Sequence, residues 1–163
     1  MTGQIDIKRF FLLIILWGCL LPGLVSAETA PRFSLRDSSG DEVSLSDFQG
    51  QPLVLHFWAT WCPYCKKLQP GLQRLGRDYK EAGLVVLGIS FSEDDGAQPQ
   101  AVLRQRGLSF TTLIEGDSVA SLYAVRGTPT TFFIDREGNI VAVTNTSDPD
   151  DPVLEKQARA ISR

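Results

Sequence analysis

The sequence predicts an α/β fold: a central β-sheet of mixed strand direction, flanked by helices. Two long apolar runs, Leu53–Trp58 and 84–91, have the continuous pattern of central strands that are buried on both faces. The stretch between them carries leucines at three- and four-residue spacing, which predicts an amphipathic helix. Two further strands near the C-terminus are joined by Arg136-Glu137-Gly138-Asn139, a hairpin signal. Strands that alternate with helices and then close on a hairpin indicate a sheet with both parallel and antiparallel neighbours.

Local signals place the other elements in order, because glycines, prolines and polar clusters separate the periodic segments. A connector at 28–31 precedes a strand at 33–35, and a second short strand at 43–45 runs into one helical turn at 46–48. Asp117 or Ser118 is expected to cap a helix that runs to Tyr123. The remaining predicted elements are a helix at 66–79, a helix at 99–106, a strand at 109–114, a helix at 117–123, strands at 130–135 and 140–144, and a helix at 152–161.

The first 27 residues have the pattern of an export signal. Two basic residues precede an apolar run at 10–21, and small residues at 25–27 are suited to cleavage before Glu28. Two other interpretations stay open. The segment 10–25 is usable as an uncleaved membrane anchor if the bilayer adapts to it, and Cys19 is a candidate for lipidation. All three place the expected domain, residues 28–163, outside the cytoplasm.

The composition of the chain excludes several classes of function. The chain has 163 residues, 43% of them hydrophobic, and a net charge of −3, which gives no electrostatic footprint for nucleic acid. Three cysteines are too few for a disulfide scaffold, and a single histidine excludes a multi-histidine metal site. The acidic run at 93–95 is interpreted as a solvated loop.

Cys62-Pro63-Tyr64-Cys65 is the candidate reactive motif of this sequence. It follows a predicted buried strand and precedes a predicted helix, whose N-terminus favours a thiolate over a thiol. Two such cysteines suit disulfide exchange, in which one attacks and the other closes a ring on it. The alternatives are a structural disulfide and a metal half-site. Zinc needs about four ligands, and these cysteines with His56 supply at most three, so no metal is expected there; copper(I) stays open as an alternative.

Four further observations come from segments in chain order: the stretch 43–50 before the central strand, the motif with its lead-in at 57–65, the stretch 127–135 and the closing hairpin at 136–140. Together these segments resemble thioredoxin-fold proteins, and they are most similar to the exported TlpA/ResA branch of thiol-disulfide oxidoreductases. This resemblance implies a thioredoxin fold with a mixed central sheet flanked by helices, an N-terminal extension and an inserted helix-strand element near 97–114.

The resemblance also implies residue roles. Cys62, the more exposed cysteine, is the expected nucleophile, and Cys65 is expected to resolve the mixed disulfide. Pro129 is expected in a cis peptide bond beside the pair, where it presents the backbone of Thr128 to a substrate peptide. Trp61 is expected to contact the substrate as well.

The two residues inside the motif complete the expected contact surface. Pro63 and Tyr64 are expected to touch the substrate, and their identity tunes the reduction potential, partly because Pro63 has no N–H to donate to the Cys62 sulfur.

The chain departs from the family pattern at two positions. His56 stands where many relatives carry a buried acid or an asparagine, so it is either a proton relay for Cys65 or a core histidine with one hydrogen bond to backbone. Its strand is expected to direct it away from the cysteines. Leu68 stands where reductases of cytochrome c maturation usually carry a glutamate, which argues against haem-related work.

These observations predict an exported, periplasmic thiol-disulfide oxidoreductase, soluble or anchored to the inner membrane. It is expected to reduce disulfides in a client protein, to be re-reduced by a membrane electron donor and to need no cofactor. The direction, reductase or oxidant, depends on thiolate stability and stays open. Two alternatives remain: a thiol peroxidase of peroxiredoxin-like type, and a copper(I)-binding thioredoxin-fold module.

Overall fold

A computed structural model describes residues 28–163. The expectations for the export signal, for an anchor at 10–25 and for Cys19 therefore fall outside the described residues. Within 28–163, no helix combines the length and the apolar character needed to span a bilayer.

The described chain alternates strands and helices, as the hydrophobic pattern predicts. Short 3-10 turns at Leu45–Phe48 and Lys80–Ala82 connect some of the elements. The helices are α1 (Pro63–Asp78), α2 (Pro99–Gln105), α3 (Asp117–Leu122) and α4 (Pro152–Ile161). The strands are β1 (Glu28–Thr29), β2 (Ser34–Arg36), β3 (Glu42–Ser44), β4 (Leu53–Trp58), β5 (Val85–Ser90), β6 (Thr111–Leu113), β7 (Thr130–Ile134) and β8 (Asn139–Thr144).

Six strands form a central mixed sheet in the order β1-β8-β7-β4-β5-β6, while β2 and β3 form a separate antiparallel pair. β4, β5 and β6 run parallel, and the other neighbours in the large sheet are antiparallel. The predicted mixed strand direction is therefore confirmed, and β4 lies in the middle of the sheet.

The sheet separates two hydrophobic clusters, because successive residues of a strand point to opposite faces. Val54 and Trp58 of β4 pack on one face with leucines of α1 and with Ala158 of α4. Leu55 and Phe57 pack on the other face, against the N-terminal segment and α3. All six residues of β4 are buried, which explains why its sequence shows no polar alternation.

Two local predictions are wrong. The stretch 28–31 is not purely a connector, because Glu28–Thr29 pairs antiparallel with the start of β8. Neither Asp117 nor Ser118 caps α3: its N-cap is Gly116, and no side chain caps the helix. The Asp117 carboxylate instead accepts a hydrogen bond from the backbone N–H of Ser92, at 3.1 Å.

Strand direction brings three chain segments to one edge of the sheet. β4 and β5 are parallel, with Trp58 opposite Ser90, so the residues that follow each strand lie at the same edge. β7 is antiparallel to β4, with Thr130 opposite Phe57, so the residues that precede β7 lie there too. This edge collects the cysteine motif, the loop that begins at Phe91 and the segment that ends at Pro129.

Candidate dithiol active site

The two motif cysteines form a disulfide at the start of α1, with their Cα atoms 5.3 Å apart. Cys62 is the N-cap of the helix, and Pro63 occupies the first turn, where a missing N–H costs nothing. The Cys62 sulfur accepts a hydrogen bond from the backbone N–H of Cys65 at 3.1 Å. A helix N-terminus therefore points at Cys62 Sγ, the arrangement that stabilises a thiolate once the disulfide opens.

The cysteines differ little in exposure in this disulfide state. Cys62 is 2% exposed and Cys65 is fully buried, so the expected order of exposure holds by a small margin. The neighbouring rings are open: Trp61 is 54% and Tyr64 62% exposed. Pro63 is exposed as well. Large exposed aromatic rings beside a sulfur form a surface that a protein substrate can contact.

The segment before β7 has the geometry that the resemblance implies. The Thr128–Pro129 peptide bond is cis, Pro129 is buried and Thr128 is half-buried. The side-chain amide of Asn145 donates to the Pro129 carbonyl at 3.0 Å and to the Thr130 hydroxyl at 2.7 Å. Asn145 therefore fixes this segment from the end of β8. Sequence reasoning missed it, since a lone asparagine after a strand gives no signal of such a role.

His56 lies on the face that carries the cysteines, so the expectation that its strand points it away is wrong. It shares a face of β4 with Val54 and Trp58, which pack in one cluster with Cys62 and Cys65. Because both faces of β4 are buried, the apolar pattern could not show which side His56 occupies.

The environment of His56 is closed and nearly apolar. Its ring is fully buried, and Nδ1 shares a hydrogen bond with the Thr131 hydroxyl at 3.0 Å, so the expected partner in the backbone is wrong. Nε2 has no partner among the described residues. Burial lowers the pKa of His56 to about 3, so the ring is neutral at physiological pH. A neutral imidazole with a free nitrogen on this face can accept a hydrogen bond or a proton.

Leu68 is fully buried in the cluster that holds the cysteines. The next residue along α1, Gln69, is fully buried too, and its amide nitrogen is unpartnered among the described residues. The position three residues past Cys65 thus belongs to the apolar core.

The acidic run at 93–95 does not behave uniformly as a solvated loop. Asp94 and Asp95 are exposed, but Glu93 is half-buried, and its carboxylate accepts hydrogen bonds from Thr60, two residues before Cys62. Arg106, at the end of α2, donates to the Thr60 carbonyl. Sequence reasoning missed both residues, because their contacts join segments that are more than thirty residues apart.

The described residues contain no group of three or more histidine, cysteine, aspartate or glutamate side chains placed to hold a metal ion.

The family follows from a comparison with known proteins. Residues 27–143 match the model of the AhpC/TSA family. The chain belongs to the AhpC/TSA family. Relatives called thiol-disulfide oxidoreductase ResA include one from Bacillus anthracis, 36% identical over 69% of this chain. The match spans 65% of that relative's length. ResA from Bacillus cereus is 34% identical over 82% of this chain and 83% of its own length. Thioredoxin-like protein YneN from Bacillus subtilis is 33% identical over 72% of this chain and 70% of its own length.

Solved structures agree on the fold. A crystal structure from Chlorobium tepidum, described as a thiol:disulfide interchange protein DsbE, superposes with a TM-score of 0.75 and 32% identity. It covers 84% of this chain and 97% of its own. A secreted Mycobacterium tuberculosis disulfide oxidoreductase, homologous to DsbE of E. coli, superposes with a TM-score of 0.67 and 26% identity, over 78% of this chain and 95% of its own. The thioredoxin fold and the resemblance to the ResA-like branch are confirmed.

Proposed function

We propose that this chain is a thiol-disulfide oxidoreductase that reduces disulfides in client proteins. The observation that carries the proposal is the Cys62–Cys65 disulfide at the start of α1, where the Cys65 N–H donates to the Cys62 sulfur. The ResA relatives and the DsbE-like structures support it, since their names describe this chemistry.

The proposed reaction moves two electrons from the dithiol to the client. The Cys62 thiolate attacks one sulfur of the client disulfide, that S–S bond breaks, and the leaving client thiolate takes a proton. Cys65, after giving up its proton, attacks Cys62 Sγ in the resulting mixed disulfide. The second client thiol leaves, and the Cys62–Cys65 bond forms again. No bound cofactor takes part in these steps.

The proposed client surface surrounds Cys62. Trp61, Pro63 and Tyr64, which flank Cys62 in the chain, offer exposed apolar area. The backbone of Thr128, held by the cis bond to Pro129, offers strand-like pairing to an extended client segment. His56 is proposed to interact with the proton of Cys65, either as a relay or as a fixed hydrogen-bond partner.

We also propose a location and an electron source. Residues 1–27 direct export to the periplasm, where the segment 10–25 is cleaved or retained as an inner-membrane anchor. Since that compartment lacks a reducing thiol buffer, a membrane electron donor re-reduces the disulfide. Mass spectrometry of the N-terminus after expression in a Gram-negative host tests export: a chain that begins at Glu28 supports cleavage, and an intact chain in the cytoplasm contradicts export.

A redox titration tests the direction of the reaction. The purified protein is equilibrated in dithiothreitol or glutathione buffers while tryptophan fluorescence is followed, with Cys65→Ala as the control that forms no internal disulfide. A midpoint near about −270 mV supports a client reductase, whereas one near about −120 mV makes the protein a disulfide-inserting oxidant. The same Cys65→Ala variant should accumulate mixed disulfides with clients, and Cys62→Ala should not.

The two alternatives predict different products. A thiol peroxidase forms sulfenic acid at Cys62 within seconds of adding peroxide, and a dimedone label on the Cys65→Ala variant detects it. A copper(I) module retains copper through purification. Either result, together with no reduction of a model disulfide such as insulin, would replace the reductase proposal.

A further inference from the structure

The short loop that presents Cys62 is held by side chains from a distant part of the chain. This loop, residues 59–61, joins the end of β4 to the start of α1. Thr60 has three hydrogen-bonding groups: its backbone N–H, its carbonyl and its hydroxyl. All three are bound by the side chains of Glu93 and Arg106, which belong to the segment between β5 and β6.

Glu93 binds the donors of Thr60. The Thr60 N–H donates to both carboxylate oxygens, at 2.9 and 3.1 Å, and the Thr60 hydroxyl donates to Oε2. The hydroxyl of Ser90, the last residue of β5, donates to Oε1. Hydrogen bonds to a charged acceptor are roughly twice as strong as neutral ones, and Glu93 is half-buried, so these bonds hold the loop against β5.

Arg106 binds the acceptor of Thr60 and reaches the helix as well. One guanidinium nitrogen donates to the Thr60 carbonyl at 2.9 Å, and the other donates to the side-chain oxygen of Gln69 at 2.8 Å. The guanidinium also lies 5.6 Å from the ring centroid of Trp58, within cation–π range. Arg106 therefore joins the residue two positions before Cys62 to the residue four positions after Cys65.

A third bond from the same segment fixes Trp61. Its indole N–H donates to the carbonyl of Ser92 at 2.8 Å. Ser92 has a positive φ of 53°, an uncommon conformation for a residue other than glycine, and Asp117 accepts its N–H. Ser92 and Glu93 of the β5–α2 loop, with Arg106 at the end of α2, thus hold the two residues that precede Cys62.

We propose that Glu93 and Arg106 are positioning residues that hold Cys62 Sγ in line with the N-terminus of α1. This inference rests on the proposed thiol-disulfide exchange, and it assigns part of the reactivity of Cys62 to the segment between β5 and β6. Within residues 28–163 neither side chain has a hydrogen bond to a sulfur, so both act through Thr60. When the disulfide opens, the covalent constraint on Cys62 is lost. The bonds to Thr60 remain, and they keep the thiolate close to the Cys65 N–H.

Charge and position have to be separated in a test, because Glu93 and Arg106 carry opposite charges near a thiolate. A lost carboxylate favours the thiolate and a lost guanidinium disfavours it. Substitutions that keep the charge but shorten or simplify the side chain separate the effect of side-chain position from the effect of charge. Glu93→Asp withdraws the carboxylate from Thr60, and Arg106→Lys cannot bind Thr60 and Gln69 in the same fork geometry. Lys66 and Lys67, two exposed charges near the start of α1, are unchanged in every variant.

The chain offers matched controls for both substitutions. Asp94 is the exposed neighbour of Glu93, and Arg104 is exposed in the last turn of α2. Asp94→Glu and Arg104→Lys make equally conservative changes at positions whose side chains form no hydrogen bond or ion pair within the described residues. Urea unfolding of all four variants verifies that each is folded.

The experiment measures the alkylation rate of Cys62 in the fully reduced protein as a function of pH. Iodoacetamide is the probe, and mass spectrometry of the Cys62 peptide distinguishes this cysteine from Cys65 and Cys19. We expect the midpoint of the pH profile to rise by about half a unit in Glu93→Asp and Arg106→Lys. At a pH below both midpoints, that rise lowers the rate by about threefold, because fewer molecules carry the thiolate. The two controls should match the wild type.

Glu93→Gln serves as the second variant. It keeps the side-chain length and an acceptor for the Thr60 N–H but removes the negative charge, so its midpoint should equal or fall below that of the wild type. The proposal is overturned if Glu93→Asp and Arg106→Lys have wild-type midpoints, including the case in which both are destabilised. It is also overturned if Glu93→Gln shifts the profile upward as much as Glu93→Asp does. The assay needs no client, so a failed reductase proposal leaves it interpretable.

Discussion

Replacing His56 should remove much of the dependence of stability on pH between neutral and mildly acidic conditions. Burial lowers the pKa of His56 from 6.5 to about 3. As the pH falls below 6.5, the unfolded chain binds a proton at this residue and the folded chain does not. The unfolded state is therefore favoured progressively, and the free energy of unfolding decreases until the pH reaches about 3.

The magnitude follows from the difference between the two pKa values. Each unit of pKa is worth about 1.4 kcal/mol, so a shift from 6.5 to about 3 corresponds to about 5 kcal/mol over the whole range. Between pH 7 and pH 5 the loss is about 2 kcal/mol, because only the upper part of the range has been crossed. The chain has one histidine, so no other imidazole contributes in this window.

Urea unfolding of the disulfide form at several pH values provides the assay, with His56→Gln as the variant. Its amide keeps a polar group that can bond to Thr131 but does not titrate. We expect the wild type to lose about 2 kcal/mol more than the variant between pH 7 and pH 5. Hydrogen bonding lowers the pKa of Asp151 and Glu155, so these carboxylates lose their contribution below this window in both proteins. Parallel curves for the two proteins would refute the assignment of a low pKa to His56.

Two further predictions concern stability and have matched controls. Thr112→Val removes the acceptor of the buried Trp58 indole N–H, now bonded at 2.9 Å, and should lower the free energy of unfolding by about 1–3 kcal/mol. Thr111→Val, at the exposed neighbour, should change it by less than about 0.5 kcal/mol. Gly71→Ala places a methyl group 2.5 Å from the carbonyl oxygen of Pro149 and should cost about 1–3 kcal/mol. In the part of the chain that the structure describes, Gly127→Ala meets no atom within 4 Å and should be tolerated; thermal unfolding measures both.

The elements with a strong local pattern could be predicted closely. β4 and α4 have the predicted bounds, because a continuous apolar run defines the first and Pro152 marks the start of the second. β1 could not be predicted, since Glu28 and Thr29 carry no strand signal and pair only because the edge of β8 is available. These two residues form a strand only because they pair with a neighbouring strand in the folded protein.

The residues of the candidate site could likewise be predicted only where a local sequence motif contains them. Cys62, Cys65 and Pro129 lie in motifs whose spacing is visible in the sequence. Glu93 and Arg106 have no such spacing, because their partner Thr60 is 33 residues from the first and 46 from the second. A contact of that kind depends on the parallel pairing of β4 with β5, and a run of acidic residues does not reveal which carboxylate turns inward.

The burial of His56 also bears on how the proton of Cys65 is handled. A pKa of about 3 means that a proton placed on this ring at pH 7 costs about 5 kcal/mol in the disulfide state. A relay through an imidazolium therefore requires the reduced site to raise this pKa, and a thiolate on Cys65 acts in that direction, because opposite charges stabilise each other. The size of that increase can be measured from the free energy of unfolding as a function of pH. The measurement compares the reduced form with the disulfide form, in both the wild type and His56→Gln. If the two forms have the same dependence, His56 acts as a fixed hydrogen-bond partner, and the proton of Cys65 leaves by another route.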